Sequence, residues 1–263
     1  MKLYKPSFVI YTAIVNNYDY PRVVPSAFSG VDFICFCDND NRKNARRLGW
    51  TVRELPVSNR DLTRLSRDIK LRPHLYLEGW RHSLWIDANI QITPDAITEI
   101  NDLIINDTLI ATFQHPLRKN VAEEALECKR KAKDNPDAID SIINFLEEQK
   151  YPITSKPLFE TGVLYRQHSN DSVKLCMDVW WEILNRFSKR DQLSLGYALW
   201  KSGVPVTLLK GNARGCNPGY LIGSHRTKGF RNLISYLQAY SFNRPINREI
   251  LMIIKKVKKC IPK

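Results

Sequence analysis

The sequence predicts an α/β fold with a mostly parallel central sheet flanked by helices. Three observations lead there. Short, continuous, β-branched runs alternate with longer stretches of helical periodicity. The runs lack an apolar/polar alternation, as strands covered by helices on both faces should. Polar residues gather where the runs end, at Asn16-Asn17, Asp38-Asn39, Asp87-Asn89 and His115. In open α/β sheets, ligands bind outside the carboxyl ends of the strands.

Taken in order, "SFVIYTAIV" (7–15) is a buried strand broken by the turn "NNYDYPR". "VDFICFCDN" (31–39) is a second strand and "WTVREL" (50–55) a short third. Residues 59–77 are mostly helical, with Pro73 marking a kink or an irregular exit. "HSLWIDANIQI" (82–92) reads as one further strand, followed by a helix in which Thr93 is the N-cap and Pro94 the first helical residue. "TLIATFQH" (108–115) is a strand, and 120–150 gives two helices parted around Asn135-Pro136. "FETGVLYRQ" (159–167) returns to strand. A strongly periodic helix covers 172–187, its Trp180 and Trp181 belonging to an apolar stripe. Residues 191–203 form a helix closed by Gly203, and "VPVTLL" is the last strand.

With no repeat, low-complexity tract or linker, residues 1–246 read as one domain. Residues 247–263 read as a basic amphipathic tail. Its apolar stripe (Ile250, Leu251, Ile254, Val257) runs beside Lys255, Lys256, Lys258, Lys259 and Lys263. Such a helix either packs by its stripe on the domain or lies on an anionic lipid surface.

Forty Lys and Arg against 27 Asp and Glu leave a formal charge of +13 over 263 residues. That surplus implies anionic partners. The basic residues are spread along the chain, without zinc-finger spacing or a nucleic-acid-binding motif, so nucleic acid is not the expected partner. Nor are there the clustered carboxylates and histidines of a two-metal phosphodiester hydrolase. The six cysteines are scattered and read as reduced thiols of a cytoplasmic protein. Cys35 and Cys37, the close pair, are assigned to opposite faces of their strand. No secretory leader and no membrane-spanning apolar run is expected.

Asp87 and Asn89, in "SLWIDANI", are the first candidates for chemistry. At a strand end their oxygens can converge on one hard cation, which needs only one or two protein ligands when it bridges a diphosphate. By spacing alone the same triplet also describes a turn cap. A second candidate is the row Arg60, Arg64, Arg67, Lys70, Arg72, in which four cations share one helical face. Either an anion lies among them, or Asp61 and Asp68 balance a solvated surface.

"YTAIVNNYDYPR", "DFICFCDN", "SRDIKLRPHLYL", "SLWIDANI", "HPLR…EEAL", "ETGVLYRQH" and "SKRDQLSLGYALWK", in this order over about residues 8–210, resemble the GT-A-type glycosyltransferases. More narrowly, they resemble a hexosyltransferase family with plant turgor-regulation and mucilage-related members and many bacterial ones. The resemblance implies hexose transfer from a nucleotide-diphosphate sugar, UDP-sugar favoured, to a glycan or lipid-linked hydroxyl in surface polysaccharide or glycolipid synthesis. It also implies a divalent cofactor, Mn²⁺ or Mg²⁺, at a D-x-D-like motif whose second position here is Asn89. Asp87, Asn89 and the late His225 would be the metal ligands. Tyr11, Thr12, Ala13, Asn17, Asp38, Arg64, Arg67, Lys70, Asp87, Ala88 and Lys228 would bind the donor. His115, Arg118 and Thr161 would line the acceptor site. Glu160, Asp191 and Gln192 would carry catalysis, the choice between the two carboxylates being open. A basic tail would bring the enzyme to the inner face of the cell membrane.

Overall fold

A computed structural model describes residues 8–56, 61–226, 233–234, 236–237, 241 and 245–260, with side chains up to 254. Seven strands form the main sheet in the order β3-β2-β1-β4-β7-β6-β8. They are β1 (Phe8–Ile14), β2 (Asp32–Cys37), β3 (Thr51–Arg53), β4 (His82–Ile86), β6 (Ile110–Gln114), β7 (Phe159–Arg166) and β8 (Val206–Leu208). All run parallel except β7, which is antiparallel to both neighbours, β4 and β6. A separate antiparallel pair joins β5 (Ile90–Ile92) to β9 (Tyr220–Ile222). The helices are α1 (Asn39–Arg47), α2 (Leu62–Leu71), α3 (Pro73–Tyr76), α4 (Ala96–Ile105), α5 (Val121–Arg130), α6 (Pro136–Glu148), α7 (Asp171–Arg186), α8 (Gln192–Ser202) and α9 (Pro245–Cys260). This is the mostly parallel, helix-flanked sheet expected.

Side chains alternate across the sheet with period two, so each central strand feeds two cores. On one face Ile10, Ile14, Phe33, Leu84 and Ile86 meet Ile97 and Ile100 of α4. On the other, Val9, Tyr11, Ile34 and Trp85 meet Ile69 and Leu71 of α2, Trp180 and Leu184 of α7, and Leu195 of α8. Trp85 and Trp180 are therefore core, as their helical and strand contexts indicate. Helices α5 and α6 add a satellite core around Ile139, Ile142 and Leu146.

The differences from expectation have local causes. The run 82–92 is two strands, because a turn at 87–89, closed by Ile90 N–H to the Asp87 carbonyl at 2.8 Å, carries the chain out of the main sheet. A helix follows β2 directly; "NDNRKNARR" buries only Asn41 and Ala45 and so shows no apolar stripe in sequence. Helix α4 starts at Ala96, not at Pro94, and the Thr93 hydroxyl donates to the Pro218 carbonyl at 2.7 Å instead of capping it. The last strand is β9, not 204–209. Cys35 and Cys37 share a core face, since residues two apart in a strand point the same way. Arg72 and Pro73 do break the 62–76 helix, and Gly203 closes α8 in the left-handed region at φ 69°. In α9, Ile246, Ile250, Met252 and Ile253 are exposed while Leu251 and Ile254 are half-buried, so the expected stripe is covered only in part among the described side chains. Among the described residues no helix is long and apolar enough to cross a membrane.

Candidate active site

A cavity of about 500 Å³ opens where β1 and β4 end and β7 begins. The exit of β1 brings Asn16, the turn after β4 brings Asp87, Ala88 and Asn89, and β7 brings Glu160 and Thr161. Helix α2 contributes Arg67 and Lys70, the start of α8 contributes Asp191 and Gln192, and later loops add Arg214 and His225. Asn16 and Asn17 stand in the left-handed region at φ 52° and 55°, which asparagine tolerates better than most residues. The resulting turn lets β1 end at the cavity rim.

Lys70 is the hub. Its Nζ is 2.7 Å from Asp191 Oδ2 and 3.3 Å from Asp87 Oδ1, with 1% of the side chain exposed. Ile69 and Leu71, on either side, are core residues that pull the last turn of α2 under the cavity. Tyr11 and Arg166 both donate to the Lys70 carbonyl, at 2.9 and 2.7 Å, and pin its backbone. Asp191 also accepts from the Thr161 hydroxyl at 2.9 Å and lies 3.7 Å from Arg67 Nε. Burial opposes its charge, but Arg67, Lys70 and Arg190 outweigh burial and hold the carboxyl well below the usual range. Asp87 Oδ1 additionally accepts from Trp85 Nε1 at 2.7 Å. Its Oδ2 faces Gly162, where a Cβ would come within 3.3 Å.

Asn89 is 3% exposed and works as a clamp. Its side-chain amide donates to the Gly223 carbonyl at 2.9 Å, while Gly223 N–H donates to the Asn89 carbonyl at 2.8 Å. Arg22 Nη2 reaches the carbonyls of Asn89 and Ser224, both at 3.3 Å. This clamp carries His225 to the cavity, where its Nδ1 meets the Asp19 carboxylate at 3.0 Å. That hydrogen bond raises the His225 pKa above its ordinary value, against the effect of burial.

Glu160 has a different environment. Burial raises its pKa, and Arg214, with Nε 3.2 Å from Oε1, offsets only part of the effect. Two carboxylates in one cavity are thus pushed in opposite directions.

A family model described as TOD1/MUCI70, glycosyltransferase-like domain, matches residues 1–210. The chain belongs to the TOD1/MUCI70 family. Over 152 residues it is 30% identical to the "Probable hexosyltransferase MUCI70" of Arabidopsis thaliana, a match that covers 54% of this chain and 26% of that protein. The chain therefore spans about a quarter of the curated relative it matches. Among solved structures it is similar to mouse xyloside xylosyltransferase 1 (TM-score 0.47, 10% identity, 77% of this chain and 84% of that one). It is also similar to the galactosyltransferase LgtC in complex with donor and acceptor sugar analogues (TM-score 0.43, 13% identity, 77% and 73%).

In this TOD1/MUCI70 domain, Ala13, Arg67, Lys70, Asp87, Ala88, Asn89, Arg118, Glu160, Thr161, Asp191, Gln192 and His225 border the cavity. Six other sequence candidates do not. Tyr11 faces the α2–α7 core, because odd positions of β1 point that way, and Thr12 is fully buried. Asn17 donates to Asp40 at 2.8 Å. Asp38 is a turn residue, accepting from Asn16 N–H and the Asn41 amide at 2.7 and 2.9 Å. Arg64 pairs with Asp61 and donates to the Phe187 carbonyl at 3.1 Å. His115 is buried, its Nδ1 accepting the N–H groups of Leu117 and Arg118; burial and then Arg118 push its pKa down to about 4. Lys228 and Arg60 lie outside the described residues. The cationic row of α2 is no free anion site: Arg64 and Arg72 pair with Asp61 and Asp68, and Arg67 and Lys70 with Asp191. Neither Ser188 nor Asp191 caps α8 with its side chain; Ser188 donates to Asp134 at 2.7 Å. The sequence reading had no role for Asp19, Lys133, Lys189, Arg190 and Arg214, which line the cavity from loops without periodicity.

Because the folded-state pKa of Asp191 is depressed, its charge stabilises the fold fully above the ordinary aspartate value near 4, and that stability is lost as pH falls through the folded value. Asp191→Asn should therefore be less stable at pH 7 and should show a flatter loss of stability between about pH 5 and pH 2. Urea unfolding across that range reads both effects; parallel curves for the two proteins would refute the assignment.

Proposed function

We propose that this TOD1/MUCI70 domain transfers a hexosyl group from a nucleotide-diphosphate sugar, with UDP-sugar favoured, to a hydroxyl of a glycan or lipid-linked acceptor. The observation that carries the reading is Asp87: a carboxylate at the end of β4, braced by Lys70 and Trp85 through one oxygen, with the other oxygen at a cavity that also holds Glu160 and Asp191.

The residues fit a thinly ligated divalent ion. Asp87 Oδ2 has no hydrogen bond among the described residues, and the bond from the Asn89 amide nitrogen to Gly223 leaves that side chain's carbonyl oxygen over. His225, its Nδ1 held by Asp19, stands at the same cavity beside Asp87 and Asn89. No three Asp, Glu, His or Cys side chains among the described residues are grouped to hold a metal. Mn²⁺ or Mg²⁺ would therefore take most of its shell from the diphosphate and water. When bound, the ion supplies positive charge against the departing diphosphate.

The chain's own groups do the rest. Glu160, with its raised pKa, is the better proton acceptor for the incoming hydroxyl. Asp191, locked as an anion, is the better group to oppose positive charge at the anomeric carbon. Thr161 and Lys70 fix its position, and Gln192 and Ala88 complete the walls.

Asp87→Ala should retain the fold and lose the rise in melting temperature that UDP with Mn²⁺ gives the wild type, a rise worth about 2.7 kcal/mol at a ligand concentration 100 times Kd. Equal shifts in both proteins would remove the donor site from Asp87. Glu160→Gln should lower kcat by about 10²–10⁴ and abolish the acid limb of its pH profile, which lies above the ordinary glutamate value, with UDP affinity unchanged. A variant keeping that limb would assign it to another group. The tail, with Ile246, Met252 and Ile253 exposed beside its lysine-rich end, would seat on an anionic inner membrane face. Co-sedimentation with phosphatidylglycerol vesicles should fail after deletion of 245–263 and weaken with salt; retention by the deleted protein would count against membrane contact.

A further inference from the structure

Glu124 of α5 is fully buried and does not border the cavity, yet three cations that do border it converge there. Arg118 pairs with Glu124 Oε2, Lys133 Nζ lies 3.8 Å from Oε1, and Arg190 Nη2 lies 4.0 Å from it. One carboxylate cannot neutralise three cations. Arg190 is also shared with Asp191, but the balance does not change. Arg67, Lys70, Arg118, Lys133 and Arg190 then face Asp87, Asp191 and Glu124, leaving two positive charges over. The neighbouring cations add nothing: Lys189 has Asp134 at 3.7 Å, and Arg214 has Glu160.

The surplus has a definite place. Along the sheet edge the order is β4, β7, β6, so Asp87 comes first, Glu160 next, and Arg118, from the loop after β6, last. On the donor side Lys70 and Arg67 are balanced by Asp87 and Asp191. Beyond Glu160 lies the Glu124 cluster, where Arg118 is joined by Lys133 and by Arg190, which also reaches back to Asp191. Like charges held together at a cavity wall repel unless an anion enters, and Arg in particular grips carboxylate and phosphate oxygens with paired donors.

We propose that the acceptor is anionic, carrying a carboxylate or phosphate ester that sits against Arg118, Lys133 and Arg190 while its hydroxyl meets Glu160. This rests on the reading of Asp87 as the donor side. It predicts a substrate class, an acidic glycan or a phosphorylated sugar, that the family resemblance alone does not supply.

Titration calorimetry on the full chain tests it with three probes: a uronic-acid tetrasaccharide, a hexose phosphate and a neutral tetrasaccharide. One anionic probe should bind at least about tenfold tighter than the neutral one, and that preference should shrink with salt. The better anionic probe distinguishes the two sources of charge. Lys133→Glu should erase the preference, Lys133→Ala should reduce it about threefold to tenfold, and neither should move the affinity for UDP with Mn²⁺ by more than about twofold. Equal binding of neutral and anionic probes would overturn the inference. So would a Lys133 variant that weakens UDP instead, because the surplus would then belong to the donor diphosphate. Absence of UDP binding by the wild type would overturn the transferase reading, while the probe titration still reports on the wall.

Discussion

Lys70 lies in the last turn of helix α2, inside the protein, its ammonium between two carboxylates that arrive from distant parts of the chain. Asp87 comes from the turn after β4, and Asp191 from the first residue before α8. An isolated ammonium there would cost several kcal/mol in lost hydration, as would an isolated Asp191. Together they are tolerable, and only in this arrangement. Removing one member of such a buried pair typically costs about 3–5 kcal/mol, because the charge left behind has nowhere to go. The core between the sheet and helices α2 and α7 supports the same point. Tyr11 and Arg166 hold the Lys70 carbonyl from the sheet side, and Trp180 donates to the Asp191 carbonyl at 3.0 Å from α7. The cavity is thus braced by the hydrophobic core beneath it.

The departure from a paired-carboxylate motif at position 89 has a physical account in this constraint. The amide of Asn89 donates to the Gly223 carbonyl, and a carboxylate there would set oxygen against oxygen with 3% of the residue exposed to relieve it. An amide serves two functions that a carboxylate cannot combine. It ties the β4–β5 turn to the segment carrying His225, and it leaves a neutral oxygen over. A second carboxylate would also add negative charge beside Asp87, whose neighbour Lys70 is already divided between two anions.

The elements with a long apolar repeat were legible in the sequence: β1, β2, β7, α7 and the break at Asn135-Pro136 all follow from periodicity and turn chemistry. Helix α1 was not, because a helix that buries two residues has no stripe to read. The division of 82–92 was not, because Ile90 and Ile92 continue the alternation of β4 into a strand that pairs with β9, and pairing partners cannot be inferred from alternation. In the site, Asp87 and Asn89 were legible as polar residues between apolar runs, Lys70 from the basic row of α2, and Glu160 and Asp191 through the family resemblance. Tyr11 and Thr12 misled because both faces of β1 are covered, so only its exit from Ala13 onward reaches the cavity. Lys133, Arg190 and Arg214 carried no signal, since a cation in an irregular loop looks solvated until the fold shows what it surrounds.

The two catalytic candidates illustrate how environment divides labour between like groups. In sequence, Glu160 and Asp191 are equivalent: each is a carboxylate at an element's edge, beside residues that could bind sugar. In the fold they separate. Asp191 is surrounded by Arg67, Lys70 and Arg190, which hold it ionised at every physiological pH. Glu160 meets Arg214 alone at 3.2 Å and is otherwise desolvated, which favours its neutral form. A carboxylate that cannot be protonated is useful as fixed negative charge, and one whose pKa is raised is the better proton acceptor. Two carboxylates driven apart in this way suit the proposed division between a proton acceptor and a fixed charge opposite a developing cation. In the proposed transfer, this asymmetry would put positive charge at the reacting carbon beside Asp191 and the attacking hydroxyl beside Glu160, next to the cations gathered at Glu124.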